Sequence, residues 1–415
     1  MRLALVGTDS LRGKELKEVL NYRNFPFDMI EFFDPDVEEE YSKLTQFRGE
    51  PRVIHHLEEE SLTDSDLVFL AADKKINRRY GNLARKQKFQ AIDLSETFNS
   101  ESDIPLIVAG INDSILLRES PSIIANPHPV TIMLSHIFYL ILQEFGLSKA
   151  VSFVLQPVSA YDESGIEELA NQSFAVLNSS SLTKKVFKAQ IAFNFLSHTE
   201  PMDEDGFAAA ERQIMAEIKR VLRPWNLPLT LSIVQAPVFH TYSIMVYLEL
   251  EKETEIQALR NLFRRSPYFK LTSTTLSSPA SCVSVAGKEE IHIGQIKREK
   301  SFPNGFWIWS VADNLTLGSA LNAYEIATLF VAFFTYVFVN LVQPIIDEML
   351  QAAPQSSSAK TSLLAFIFKN LHVTKEQLIW FIPLILVIVI FGKGCFTFLS
   401  SFFMKSVGHR VVRKL

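Results

Sequence analysis

The chain has 415 residues, enough for two soluble domains and a further segment. Its net charge of -5, with 21% charged residues, argues against a general nucleic-acid-binding protein. The two cysteines, Cys282 and Cys395, are far apart and form neither a disulfide framework nor a CxxC metal site. The nine histidines lack paired-ligand spacing, so no metal site is predicted. The N-terminal apolar run is too short for a signal peptide.

The N-terminal part of the chain alternates short apolar runs with helical stretches. RLALVG is β-rich, GTDSLRG is a glycine turn, and KELKEVLNY has helical spacing, which is how a Rossmann unit opens. DMIEFFD, DLVFLAAD, FQAIDLS and PLIVAGI are interpreted as further buried strands, and INRRYGNLARKQ as a helix or loop between two of them. The pattern predicts an α/β domain with a parallel, doubly wound sheet over residues 1–128.

The glycine turn is the first candidate site. Gly7 and Gly13 occupy the expected positions, but the middle small position is Ser10. Backbone N–H groups of such a turn can bind a pyrophosphate, and Asp34 at the end of the second strand can accept from a ribose hydroxyl. Acidic residues follow Asp34, so NAD is expected in preference to NADP. The alternative is a strand–helix turn that binds nothing, so NAD binding is expected to be weak or absent.

The sequence texture changes near Pro129. TIMLSHIFYLILQEFG is a long apolar helix, and FAAAERQIMAEIKRVL is an amphipathic one. KAVSFVLQPVSA, KVFKAQIAFNFLS, LTLSIVQAPV and YSIMVYLELE are interpreted as longer alternating strands. An α+β domain with a mostly antiparallel sheet is predicted over residues 129–303, followed by a closing helix over 304–325 that returns to the first domain.

The C-terminal part, 326–415, is strongly apolar. Residues 326–346 carry no charge and would span about 31 Å as a helix. A second run covers 378–401 with Lys393 inside it, and the polar stretch 347–377 separates the two. We expect a transmembrane helical hairpin in the lipid bilayer of the inner (cytoplasmic) membrane. Basic residues crowd the last eleven positions, which favours a cytoplasmic C-terminus and cytoplasmic soluble domains. The alternative is a pair of buried core helices.

Several stretches in order resemble the aspartate-semialdehyde dehydrogenase family. They are VGTDSLRGKEL, AIDLSETF, IANPHPVT, LQPVSAYDESGIEEL, VQAPVFHTYS and SVADNLTLGSALNAYEIA. The resemblance covers residues 1 to about 330, and the last stretch is its most specific part. It implies an N-terminal domain that binds NADP, a homodimer formed through the second domain, and a cysteine thiolate assisted by a histidine.

The residues expected for that chemistry are replaced. Pro129 stands at the position of the family's cysteine, in Asn-Pro-His-Pro, and a proline cannot be a nucleophile. Tyr242 replaces the histidine that the resemblance assigns as the base. Gln235 replaces the arginine that binds the substrate carboxylate, and an amide cannot form that charged pair. Gln156 is the family active-site residue that remains. His240, predicted on the same strand face as Tyr242, is interpreted as a strand histidine at a cleft rather than a replacement base.

Cys282 is not expected to substitute as the nucleophile, because LSSPASCVSVAG places it outside a helix-capping turn that would activate a thiol. The chain therefore resembles a degenerate paralogue of the dehydrogenase with no intact catalytic set. The C-terminal part resembles the first two transmembrane helices of a lipid A flippase-type ABC exporter, in QPIIDE and VGHRVVRKL, but the chain has no GxxxxGK[ST] phosphate loop.

Three hypotheses remain open. The first is a non-catalytic, membrane-tethered structural or regulatory homologue. The second is an NAD-dependent oxidoreductase that acts on another substrate without a covalent intermediate. The third is a truncated exporter segment fused to a dehydrogenase-like passenger, in which the join near residue 326 reflects a fusion or an incomplete reading frame. Binding of NAD and NADP distinguishes the first hypothesis from the second.

Overall fold

The computed structural model describes residues 1–37, 43–87, 89–116, 121–272 and 279–337. Met1–Phe333 form one compact unit. Phe334–Leu415 form a second unit, most of which lies outside the described residues.

A largely parallel sheet organises the first domain. Its strands are β1 Arg2–Val6, β2 Met29–Asp34, β3 Lys43–Phe47, β4 Glu50–His56, β5 Leu67–Leu70, β6 Gln90–Asp93 and β7 Ile123–Ala125. Their spatial order is β3-β4-β2-β1-β5-β6-β7, and β3 pairs with β4 in antiparallel fashion at one edge. The helices α1 Leu11–Tyr22 and α2 Lys74–Ala84 follow β1 and β5. Because β1 lies between β2 and β5, the loop after β1 lies at the switch point where ligands of such sheets bind.

The second sheet is mixed but mostly antiparallel. Its strands are β8 Leu147–Gln156, β9 Leu229–Gln235, β10 Tyr242–Leu250, β11 Phe269–Leu271, β12 Ile291–Glu299 and β13 Gly305–Ala312, in the order β11-β12-β13-β10-β8-β9. The β8–β9 and β11–β12 pairs are parallel, and the other pairs are antiparallel. The predicted combination of a Rossmann domain with a second, mostly antiparallel domain is confirmed.

Six further helices connect and cover the second sheet within the described residues. They are α3 Pro129–Glu144, α4 Asp162–Leu177, α5 Ala209–Val221, α6 Ile256–Arg265, α7 Cys282–Val285 and α8 Asn322–Val337; a π-helical turn, Thr316–Leu321, precedes α8. Helix α3 is buried over most of its length and belongs to the main apolar core. Its apolar sequence therefore reflects its burial in the main core.

The prediction that PLIVAGI forms a strand is wrong. Within it, Leu106 forms an isolated bridge with Ala125, and the stretch is otherwise a loop. The Asn112 side chain accepts from the Val108 N–H (2.8 Å) and donates to the Leu106 carbonyl (2.8 Å). Because side-chain amides can satisfy buried backbone groups, this apolar segment can be buried without a strand partner.

The prediction that KVFKAQIAFNFLS forms an alternating strand is also wrong, since these residues form turns. The carboxylate of Glu168 on α4 accepts from the N–H groups of Lys185, Val186 and Phe187. The Gln172 side chain accepts from the Ile191 N–H (2.8 Å). Two buried polar side chains of a helix therefore take the place of a neighbouring strand.

The segment 304–325, predicted as a closing helix, begins as β13 and becomes helical at Thr316. The amide of Asn322 then connects this helix to the first domain. It accepts from the Ala109 N–H (2.9 Å) and donates to the Ile107 carbonyl (2.9 Å) and to Asn126 Oδ1 (2.7 Å). The aromatic and apolar alternation in GFWIWSVA is typical of a strand, and it ends before the helical residues begin.

Within the described residues, every helix is too short or too polar to span a bilayer. The predicted run 378–401 and the loop 347–377 lie outside the described residues, as does the run 326–346 from residue 338 onward. The transmembrane hairpin therefore stays a prediction from the sequence.

Candidate active site

The turn after β7 places a proline at the position of the expected nucleophile. Asn126, Pro127 and His128 lead into α3, and Pro129 is the first residue of that helix. Proline is favoured there because the first helical N–H has no intrahelical acceptor and the ring fixes a helical φ. The ring Nδ1 of His128 accepts from the Val130 N–H at 3.1 Å and caps the helix. The turn is thus well formed but has no nucleophile at its tip.

Glu217 on α5 anchors this turn. Its buried carboxylate accepts from the His128 N–H (2.9 Å), Thr131 Oγ1 (2.6 Å), Asn99 Nδ2 (2.8 Å) and Gln213 Nε2 (2.8 Å). Four donors compensate the cost of burying a charge. Sequence reasoning missed Glu217. The signal was present, since Glu217 lies within the buried stripe formed by Ile214, Ile218 and Val221 on α5.

The three other family positions form one buried hydrogen-bond chain. The Tyr242 hydroxyl donates to Gln156 Oε1 at 3.2 Å, and Gln156 Nε2 donates to Gln235 Oε1 at 3.0 Å. Gln235 Nε2 in turn donates to the Gln156 carbonyl (3.0 Å) and the Ala236 carbonyl (3.2 Å). Gln156 and Gln235 are neighbours because β8 and β9 pair in register at these residues. These three hydrogen-bonded side chains are uncharged, so they provide neither a base nor a cation that could bind a carboxylate.

Burial keeps the side chains of Tyr242 and His128 neutral. It raises the pKa of Tyr242 well above the ordinary value, so the hydroxyl stays protonated. Burial also lowers the pKa of His128 to about 4, against the opposing effect of Glu217. The two rings meet edge to face, with centroids 5.7 Å apart. A neutral His128 whose Nδ1 already caps α3 is a structural residue of this turn.

An open cleft lies in front of these residues. Pro129 and Tyr242 line it, whereas Gln156 and Gln235 are buried behind Tyr242. Arg12 from α1 and Ser319 from the π-helical turn line the same cleft. The fold therefore brings the α3 turn, the start of α1 and the closing helix together in one site.

His240 and Cys282 are both placed differently from the sequence prediction. His240 precedes β10 and lies in a loop, and Thr241 between it and Tyr242 has φ of +73°, so the two side chains do not share a strand face. Cys282 is the first residue of α7, capped by Ser281, which corrects the expectation that it lies outside a capping turn. Its Sγ contacts Ser243 Oγ at 3.4 Å and it does not line the cleft.

The comparisons with known proteins agree with this architecture. Residues 2–117 match the family model of the semialdehyde dehydrogenase NAD binding domain, and residues 140–317 match that of the semialdehyde dehydrogenase dimerisation domain. Over residues 2–317, the chain belongs to the semialdehyde dehydrogenase family.

Similar proteins carry the name aspartate-semialdehyde dehydrogenase. The protein of Aquifex aeolicus is 28% identical over 334 residues, which are 80% of this chain and 98% of that relative. The Bacillus subtilis protein is 26% identical over 339 residues, 79% of this chain and 96% of its own length. The crystal structure of aspartate semialdehyde dehydrogenase II from Vibrio cholerae superposes with a TM-score of 0.75 at 25% identity, covering 80% of this chain and 98% of that one.

Members of the semialdehyde dehydrogenase family have an NAD binding domain, so the glycine turn can be tested for its fit to a dinucleotide. Gly7 has φ of +82°, and a Cβ there would lie 2.4 Å from the Ala72 nitrogen. A Cβ at Gly13 would lie 2.1 Å from the Gly7 carbonyl oxygen, so both glycines are required by packing alone. Ser10 Oγ accepts from the Gly13 N–H at 3.0 Å and lies 2.8 Å from the Gly7 carbonyl oxygen. The turn is thus internally satisfied, and it fits a pyrophosphate poorly.

Asp34 is also engaged within the protein. Its oxygens accept from the N–H groups of Asp9 (3.1 Å) and Asp36 (3.3 Å), and the residue is only 6% exposed. Burial raises the pKa of its carboxyl group. Lys43 from β3 forms an ion pair with Asp9 at this corner, a basic neighbour that the local sequence around Asp34 does not reveal. Gly7, Ser10, Gly13 and Asp34 therefore lie near one another, but their polar groups are bonded to groups of the protein itself.

Proposed function

We propose that residues 1–330 form a member of the semialdehyde dehydrogenase family without the thiol chemistry of its catalytic relatives, acting as a structural or regulatory homologue. The observation that carries the proposal is Pro129 at the first position of α3, where the resemblance places the nucleophile. The hydrogen-bonded side chains of Tyr242, Gln156 and Gln235 support the proposal, because they are uncharged and supply no base and no cation for a carboxylate.

The test is an activity assay on the purified full-length chain. Aspartate semialdehyde, inorganic phosphate and NADP are supplied, and the A. aeolicus relative is assayed in parallel as the positive control. We expect no phosphate-dependent formation of NADPH by this chain. Turnover that disappears in His240→Ala or in Cys282→Ser would show that another residue serves as base or nucleophile, and the proposal would then be abandoned.

A second candidate is an NAD-dependent oxidoreductase that transfers hydride without a covalent intermediate. The start of α1 and Asp34 at the switch point of the sheet favour it, whereas the internal bonds of Ser10 and Asp34 oppose it. If a dinucleotide binds, we expect NAD in preference to NADP because of Asp34. Calorimetric titration with each cofactor decides: binding of neither supports the non-catalytic proposal, and tight NAD binding supports the oxidoreductase.

We further propose a homodimer formed through the open face of the second sheet. Val151 and Phe153 on β8 and Trp307 on β13 are exposed there, and Tyr247 lies against Trp307 with ring centroids 5.0 Å apart. Such an apolar strip is typical of an interface between subunits. Phe153→Lys should abolish chemical cross-linking between copies, whereas Phe174→Lys on α4 serves as a control at another exposed apolar residue. Unchanged cross-linking in Phe153→Lys would refute this interface.

The membrane tether and the inner-membrane location remain proposals that the sequence alone supports. They depend on the apolar runs 326–346 and 378–401, with both the family domains and Leu415 expected on the cytoplasmic side. Single cysteines at Ser357 and Lys414 should label from opposite sides of sealed vesicles. Labelling of both from one side, or extraction of the chain by alkaline carbonate, would contradict the proposal.

A further inference from the structure

Arg12 lies on the wall of the cleft, in the first turn of α1. Its Nη2 contacts Asp162 Oδ2 at 3.2 Å, and the two side chains are 21% and 49% exposed. Neighbouring Lys14 pairs in the same way with Glu163, so the start of α1 faces the start of α4. A guanidinium has five N–H donors, and the contact with Asp162 uses one of its nitrogens.

The remaining donors of Arg12 include one that is buried and unsatisfied. Its Nε has no hydrogen-bond partner among the described residues. Nε and Nη2 together form the edge of a guanidinium that binds two oxygens of a carboxylate or phosphate. Asp162 occupies only one position of that edge, so the donor on Nε is left without an acceptor among the described residues.

Ser319, which also lines the cleft, supplies an independent sign of a ligand. The residue is 3% exposed, and its hydroxyl has no partner in the part of the chain that the structure describes. It belongs to the π-helical turn Thr316–Leu321, a type of helix irregularity that is frequent at functional sites. A Cβ at Gly318 would lie 2.5 Å from Pro129 Cβ, so the ring of Pro129 fixes the position of this turn at the cleft.

The charges around the cleft favour an anion. Arg12 is a permanent cation at the N-terminus of a twelve-residue helix, whose dipole attracts negative charge. Glu96 also lines the cleft, but burial raises the pKa of its carboxyl group, which weakens its repulsion of an anion. The lowered pKa of His128 makes that ring a neutral part of the wall.

We propose that this cleft binds a small oxyanion, a carboxylate or phosphate group, through the guanidinium of Arg12 and the hydroxyl of Ser319. The site differs from the family's substrate-binding position, which is the neutral Gln235 here and lies behind Tyr242. The inference goes beyond the proposed function and holds whether or not the chain catalyses a reaction.

The test is calorimetric titration of the purified full-length chain with sodium phosphate and, separately, with sodium succinate, at constant ionic strength. Saturable binding of either anion is expected, and the two titrations decide between phosphate and carboxylate. Arg12→Gln should weaken binding at least tenfold, and Ser319→Ala should weaken it severalfold. Arg212→Gln, which removes an arginine paired with Asp203 and Asp205 on the surface of α5, is the matched control and should bind as the wild type does.

Asp162→Asn gives a result in the opposite direction. It removes the carboxylate that competes for Arg12, so affinity for the anion should rise severalfold. If Arg12 only connects α1 to α4, both Arg12→Gln and Asp162→Asn would leave anion binding unchanged, and the proposal would be wrong. The absence of binding heat for both anions in the wild type and in Asp162→Asn would also overturn it.

Discussion

Thr241 has an unfavourable backbone conformation directly beside Tyr242. Its φ is +73°, a left-handed value that is rare for a β-branched residue, and the side chain is fully buried. Its N–H donates to Asn314 Oδ1 at 3.0 Å, which fixes this conformation. The Thr241 hydroxyl has no hydrogen-bond partner among the described residues. Glycine adopts positive φ values without steric strain, so Thr241→Gly is a direct test of the strain.

The expected effect is a net stabilisation. Relief of a left-handed non-glycine conformation contributes about 1–3 kcal/mol, and removal of an orphaned buried hydroxyl about 1–3 kcal/mol. Loss of two buried carbon groups costs about 1.5 kcal/mol at about 0.8 kcal/mol each, and the greater freedom of glycine in the unfolded chain costs about 0.4–1 kcal/mol. Central values give a gain of about 1–2 kcal/mol in the free energy of unfolding.

The measurement is urea unfolding of the full-length chain followed by tryptophan fluorescence. Thr241→Val is the matched control, because it removes the hydroxyl but keeps the branched side chain. It should gain about 2 kcal/mol from the loss of the orphaned hydroxyl, and glycine should be about as stable, because relief of the strain offsets the lost carbon groups and the greater freedom of the unfolded chain. A Thr241→Gly variant less stable than the wild type, or about 2 kcal/mol less stable than Thr241→Val as expected without strain relief, would refute the argument from strain.

Two further predictions concern the α3 turn. The folded-state pKa of His128, about 4, lies below the unfolded value of 6.5, so the unfolded chain takes up the proton first as the pH falls. The contribution of the neutral His128 ring to the free energy of unfolding is therefore fully present above about pH 6.5 and is lost as the pH falls towards 4. Between pH 7.5 and pH 5 this contribution should decrease by about 2 kcal/mol in the wild type but not in His128→Asn. Urea unfolding at both pH values measures the decrease. An equal change in the free energy of unfolding in the two proteins would contradict the prediction. Glu217→Ala should lower the free energy of unfolding by about 3–5 kcal/mol, because four donors, three of them buried, lose their acceptor. A loss no greater than that of Glu204→Ala, at an exposed residue, would show that the anchor is unimportant.

The elements that the sequence predicts correctly are those whose apolar residues follow either the helical or the strand period throughout. The β1 strand, α1 and α3 are continuous segments with clear start signals, namely a glycine turn or a proline at the first helical position. The segments 105–111 and 185–197 are equally apolar but are loops. Some of their backbone groups bond to side chains on other elements, those of Asn322, Glu168 and Gln172, and Asn112 bonds to the first segment from just beyond its end. Apolar periodicity contains no information on such polar partners, so periodicity alone predicts strands there.

For the candidate site, the sequence predicts which residues stand at the family positions but not how they contact one another. Pro129, Gln156, Gln235 and Tyr242 follow from the order of motifs, but their hydrogen-bond chain depends on the register of β8 with β9 and of β8 with β10. Lys43 reaches the glycine turn from β3, a strand that the sequence did not predict. The position of Glu217 within an apolar stripe of α5 indicates a buried carboxylate. Its four donors, however, come from three separate parts of the chain, and the sequence does not identify them.

The replacements at the site differ in their energetic consequence, and this bears on the proposed loss of thiol chemistry. Pro129 is favourable where it stands, since the first helical position tolerates proline and the ring packs against Gly318. Gln235 and Tyr242 are buried with their polar groups satisfied. These three residues suit a stable fold, as the proposed loss of thiol chemistry would predict. Thr241 is strained, however, and the fold retains the left-handed backbone because Asn314 fixes it from the closing segment. If the site has been selected for stability rather than catalysis, Thr241→Gly should stabilise the chain without any effect on anion binding at Arg12, and a change in that binding would connect the strain to a function of the cleft.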